Sequence, residues 1–149
     1  MADATDVLLK ACEIHYAEAK QAEDQRATLT NIVLLIASAI VGVVAQKGLS
    51  KGLLPLSILL ILIGVYGAFV SIKQYQRRHL HLDLVDGYFK KIAKLHPTSQ
   101  LVELSDQVRV EDKQSHPILS KLHVNHLWIA LHLVIASGGI ILATILLTR

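Results

Sequence analysis

The chain has few of the residues that break helices or cross-link them: its 149 residues hold one cysteine, three prolines and eight glycines. A lone Cys12 excludes a disulfide within the chain and any cysteine-based metal site, and it fits a buried helical position. No proline or glycine occurs between Met1 and Val41, so a helix can run from about Thr5 without interruption. The glycines form no phosphate-binding loop, nucleophile elbow or Walker-type pattern.

Charge is also missing where it would decide the class of protein. Fifteen Lys and Arg and twelve Asp and Glu are present, yet they avoid three apolar runs, residues 29–45, 52–72 and 127–148. The first run is interrupted by Thr30, Asn31 and Ser38, the second by Ser57, Tyr66 and Ser71, and the third by His132, Ser137 and Thr144. With 52% hydrophobic residues and a mean hydropathy of +0.46, the chain is too apolar for a soluble domain of this size. About 20 apolar residues cross a hydrocarbon core of about 30 Å. The fold class expected is therefore all-α, an integral membrane protein with three transmembrane helices. The first run begins late and behind charge, so a cleaved signal peptide is not expected.

Proline then sets the limits of the helices. Pro55 suits a first helical turn, and the helix it opens need not stop before Pro97, which disfavours helical geometry at His96. The sequence thus predicts a helix over 1–28 continuous with a first span at 29–46, a turn at 47–54, a second span at 55–72 and a helix over 73–96 continuous with it. Cytosolic and interfacial helices follow over 97–126, one of them over 98–115 with Leu101, Leu104, Val108 and Glu111 on one side, and the third span is 127–148. The first two helices would each be about 60 Å long at 1.5 Å per residue, and their extensions would form a hairpin outside the bilayer.

The basic residues orient this arrangement. Lys20, Arg26, Lys73, Arg77, Arg78, Lys90, Lys91, Arg109, Lys113 and Lys121 flank one side of the spans, against Lys47, Lys51 and Arg149 on the other. The positive-inside rule then predicts a cytoplasmic N-terminus, a cytoplasmic middle segment and an external C-terminus, with Trp128 as an interfacial anchor. The same residues account for the pI near 9.1, so no nucleic-acid partner is expected. Membrane lipids are, and Arg77, Arg78, Lys90, Lys91 and Lys94 could meet anionic headgroups or an acidic cytosolic partner.

Packing faces can be read from spacing. In the extensions, Leu9, Cys12, Tyr16 and Ala19 on the first helix and Tyr75, Leu82, Val85, Phe89 and Ile92 on the second fall on heptad-like positions. Glu23 and Asp24 are expected near Arg77 and Arg78. In the spans, Ser38 with Gly42, Gly64 with Ala68, Gly67 with Ser71 and Gly139 with Ala143 stand four residues apart, a spacing that lets helix backbones approach. Any one of these faces could equally pack on another span of the same chain, but several such faces leave surface over, which points to a homo-oligomer.

Histidine is the abundant chemistry-bearing residue, with eight in the chain. His79, Asp83 and Asp86 share a helical face and His123 and His126 another, which makes them candidate metal ligands or titrating groups, against a plainer reading as solvated side chains. His132, one turn inside the third span, is read as a hydrogen-bonding group rather than part of a conduction path. No cofactor is expected. Nor is an enzyme, since His79, Asp83 and Asp86 lie along a helix and not in a cleft.

Tyr16-Ala17-Glu18-Ala19, Gln25-Arg26, a tight transmembrane hairpin and Tyr75-Gln76-Arg77-Arg78 give the first 95 or so residues a layout that resembles the bacterial SLATT-type membrane effectors and the RipA-like octameric membrane proteins. The resemblance implies a bacterial inner-membrane protein that forms homo-oligomers and acts as a channel or membrane-perturbing effector. The third span departs from that layout. A non-conducting scaffold or accessory subunit that recruits a cytosolic partner is the alternative.

Overall fold

The computed structural model describes residues 3–117 and 124–148. Four α-helices are present among them: α1 (Ala4–Lys47), α2 (Leu54–Leu95), α3 (Leu101–Ser115) and α4 (Val124–Thr148), with 3-10 turns at Lys51–Leu53 and Pro97–Ser99. No strand occurs among the described residues. Three of the helices, α1, α4 and α2 with the turn before it, are long and apolar enough to cross a membrane. The chain is thus an all-α membrane protein.

The breakers act where the sequence places them. α1 ends at Gly48, whose φ of 69° is open to glycine at little cost and whose N–H reaches Val44 O at 3.0 Å. α2 stops at Leu95, ahead of Pro97. The following helix begins at Leu101 and not at residue 98, because Pro97–Ser99 winds as a 3-10 turn and Gln100 takes a left-handed φ of 47°. The interfacial helix expected over 118–126 falls partly outside the described residues; from Val124 the chain is already in α4.

The helices divide between two compact units. One comprises α1 up to Ala22, α2 from Gln76, and α3. Here α1 and α2 run antiparallel, joined by Thr5 Oγ1 to His96 Nε2 (3.0 Å), Cys12 Sγ to Val85 O (3.9 Å), His15 Nδ1 to His81 Nδ1 (3.0 Å) and the Arg77–Glu18 ion pair. α3 is tied to α2 where Arg109 approaches Asp86 at 3.6 Å. The hydrogen bond from Lys90, 2.6 Å away, and the charges of Lys90 and Arg109 hold the Asp86 carboxyl below its usual range.

Arg77 pairs with Glu18; exposed ion pairs of this kind are worth only about 0–1 kcal/mol. One expectation for this unit is corrected. The inward stripe of α1 is Leu8, Cys12, His15 and Ala19, whereas Leu9 and Tyr16 point outward, Tyr16 with 62% of its surface exposed. Both stripes fit a heptad, so spacing alone could not choose between them. Leu82 and Phe89 are half-buried, as is Tyr75 in the other unit, but Leu104 and Val108 of α3 are exposed.

The other unit comprises residues 23–75 and α4. Its core is Ala37, Ile40 and Leu60, with Ile36, Val44, Leu56, Ile63, Ile135 and Leu142 packed around it. Glycine allows the closest approaches. A Cβ at Gly64 would lie 2.6 Å from Ala136 N, and one at Gly139 would lie 2.9 Å from Ile61 N. Gly64, Ala68, Ser71 and Gly139 are buried and Ala143 half-buried, so those faces are spent on helix packing within the chain. Ser38 differs: it is exposed, and nothing lies within 4 Å of a Cβ built at Gly42.

Candidate functional site

The candidate site lies inside the second unit, where three helices bring polar side chains into an otherwise apolar bundle. Arg26 and Thr30 stand four residues apart on α1, in line with Val33 and Ala37 on the buried face. Trp128 and His132 stand four apart on α4, and α2 supplies Gly67, Ser71 and Gln74. An i, i+4 spacing puts each pair on one helical face, so the sequence needs no distortion to assemble them.

Burial is nearly complete. Arg26 is 3% exposed, Thr30 1%, and Ser71 and His132 not at all. Buried polar groups of this kind require partners, and the hydroxyl of Thr30 provides two links. It donates to Arg26 O at 2.9 Å and lies 3.2 Å from His132 Nε2. A hydroxyl has one proton, so the second contact must be donated by His132. Its imidazole is therefore protonated on Nε2, which leaves Nδ1 a lone pair in the neutral ring. Nδ1 points at Gly67, where a Cβ would overlap the ring. Neither Nδ1 nor Ser71 Oγ has a hydrogen-bond partner among the described residues.

Arg26 is a buried cation beside an aromatic face. Its guanidinium carbon lies 5.1 Å from the centre of the Trp128 ring, and Nη2 lies 3.7 Å from Glu23. The indole attracts the cation through its negative face, and the half-exposed Glu23 offsets part of the charge. Gln74 Nε2 donates to Gln25 Oε1 at 3.1 Å, a further polar tie between α1 and α2. The cluster can thus hold three helices in register and keep a positive charge at the edge of the apolar core.

The histidine and carboxylate candidates are placed elsewhere. His79 and Asp83 lie exposed on α2, His126 is exposed on α4, and His123 is outside the described residues. Asp86 is committed to Lys90 and Arg109. No three His, Cys, Asp or Glu side chains gather as ligands among the described residues. Arg26 and Thr30 were missed as site residues because Arg26 reads as a flanking topology charge and Thr30 as a tolerated hydroxyl. Their i, i+4 alignment with Val33 and Ala37 was the available signal. Trp128, expected as an anchor, is half-buried beside Arg26.

The Thr30–His132 link has a measurable strength. In a cycle of Thr30→Val, His132→Leu and the double variant, stability in detergent should show a coupling of about 0.6–1.7 kcal/mol, the range of interhelical hydrogen bonds in membrane proteins. Additive losses would mean that the bond contributes nothing. No family model, curated protein or solved structure matches the chain.

Proposed function

We propose that this chain is a homo-oligomeric protein of the bacterial inner membrane, with a cytoplasmic N-terminus and an external C-terminus, and that it acts as a channel or membrane-perturbing effector whose path runs between copies. The contrast between the closed interior and the open outer face of the bundle carries this reading. Glycine contacts at Gly64, Gly67 and Gly139 bring α2 and α4 together, the core at Ala37, Ile40 and Leu60 is apolar, and the buried Arg26, Thr30, Ser71 and His132 lie at the borders of the apolar runs rather than along them. Among the described residues, the bundle of one chain therefore offers no polar passage. The Ser38–Gly42 face remains open, and small residues there would let a second backbone approach. The distribution of Lys and Arg supports the orientation, and the layout resemblance supports an oligomer.

Purified protein in liposomes provides the test, with native mass giving the copy number. An oligomer that releases a trapped small solute, and a Gly42→Val variant that loses both the oligomer and the release, is the expected result. Tight liposomes containing a correctly inserted oligomer would overturn conduction. They would favour the second reading, a scaffold recruiting a cytosolic protein, for which Leu104 and Val108 on exposed α3 are the supporting observation; copurification of a partner from native membranes would test that.

A further inference from the structure

The His15–His81 contact in the first unit differs in kind from the other ties between α1 and α2. Its two Nδ1 atoms are 3.0 Å apart, the ring centres are 5.2 Å apart and the planes are inclined by 28°. Tyr88 stacks on His15, with ring centres 5.7 Å apart. An N···N contact at that distance is a hydrogen bond only if one ring donates and the other accepts.

From this geometry we infer that His15 and His81 form an acid-sensitive clasp between the N-terminal part of α1 and the C-terminal part of α2. Two neutral rings share one Nδ1 proton. One added proton is tolerated, since an imidazolium can donate to a neutral partner. A second leaves an N–H on both facing atoms, with no acceptor between them and two like charges in contact. The contact must then part.

The nearest carboxylate facing this contact along α1, Glu18, is already engaged. From α1 the neighbouring titratable groups are Cys12 and Glu18, and Glu18 is engaged by Arg77. Burial pushes the Cys12 thiol up, which keeps it neutral. Along α2 the charged or titratable residues within about a turn of His81 are Arg77, Arg78, His79 and Asp83, and Tyr88 stacks on His15; on α3, Arg109 faces Asp86. The Thr5–His96 contact is a useful contrast, because a hydroxyl oxygen can accept from either protonation state of the ring. Acid should therefore release the contact at His15 and spare the one at His96.

Nothing in this inference depends on conduction or copy number, and the experiment reads only the helix pair. Spin labels at Leu9→Cys and Leu80→Cys, both exposed positions, in a Cys12→Ser background of the full chain in nanodiscs, report the separation of α1 and α2. The pair should show one narrow distance at about pH 7.5 and a broader, longer one at about pH 5. With His15→Leu and His81→Phe the distance should stay narrow at both values. Should that pair of substitutions disrupt the helices at neutral pH, His81→Gln, whose amide both donates and accepts, should hold His15 at either pH. An unchanged distance in the parent at low pH would overturn the inference. So would equal opening in the variants, which would assign the response to another group such as Glu18.

Discussion

Gly64→Val should cost at least about 3 kcal/mol of bundle stability, the upper end of what overpacking usually costs. The obstacle is backbone. A Cβ at residue 64 would sit 2.6 Å from Ala136 N, 2.8 Å from His132 O and 2.9 Å from Ala136 Cα, and none of these atoms can turn aside as a side chain would. α2 and α4 would have to separate, which would also open the contact of Gly139 on Leu60 and Ile61 and weaken the hold of His132 on Thr30. Gly138→Val, on the facing helix α4, is the control, because nothing lies within 4 Å of its added carbon; its effect should stay within about 0.5 kcal/mol. Thermal unfolding in detergent decides the matter, and equal effects of the two substitutions would show that the close approach is not needed. Gly42→Val should behave like the control in the isolated chain and differ only where copies meet, so the same series separates folding from assembly.

Arg26→Ala should be the second large loss, about 3 kcal/mol. The side chain is 97% buried by its 3% exposure, so truncation removes packing of the size lost when a large core residue is cut to alanine, together with a cation–π contact worth about 0.5–2 kcal/mol. Glu23 adds little to the loss, since its side chain is half-exposed and water can solvate it once its partner is gone. Arg26→Lys should recover only part of the stability, because an ammonium keeps the charge but not the flat guanidinium that lies over Trp128. Trp128→Leu should reduce the difference between Arg and Lys at residue 26 if the ring contact causes it. A loss below about 1 kcal/mol for Arg26→Ala would mean that the buried cation is incidental to the fold.

Both predictions concern positions whose importance was only half visible beforehand. Gly64 belongs to a small-residue spacing that marks it as a contact, but the spacing at Ser38 and Gly42 is equally good, and there Ser38 is exposed and nothing among the described residues lies within 4 Å of a Cβ built at Gly42. Arg26 counts toward topology by its charge, while its burial depends on a tryptophan far along the chain. His132 was legible as a hydrogen-bonding group because an ionisable side chain within a span needs a partner; which partner it has was not. Tyr16 shows the opposite failure: it fits a heptad and points away, because the neighbouring set of Leu8, Cys12, His15 and Ala19 fits one as well.

Taken alone, the residues determine that three helices are apolar enough to span a membrane and that breaks come near Gly48 and Pro97. These are local properties: transfer of a run of side chains out of water, and a backbone that proline or a left-handed turn interrupts, each depend on residues adjacent in the chain. Only the tertiary structure decides how each helix is rotated about its axis and where it stands along its neighbour. That choice places Glu18 on Arg77, sets His15 against His81, and gathers Arg26, Thr30 and His132. It depends on how two surfaces fit at a distance of an ångström or less, and several rotations satisfy the same hydrophobic spacing.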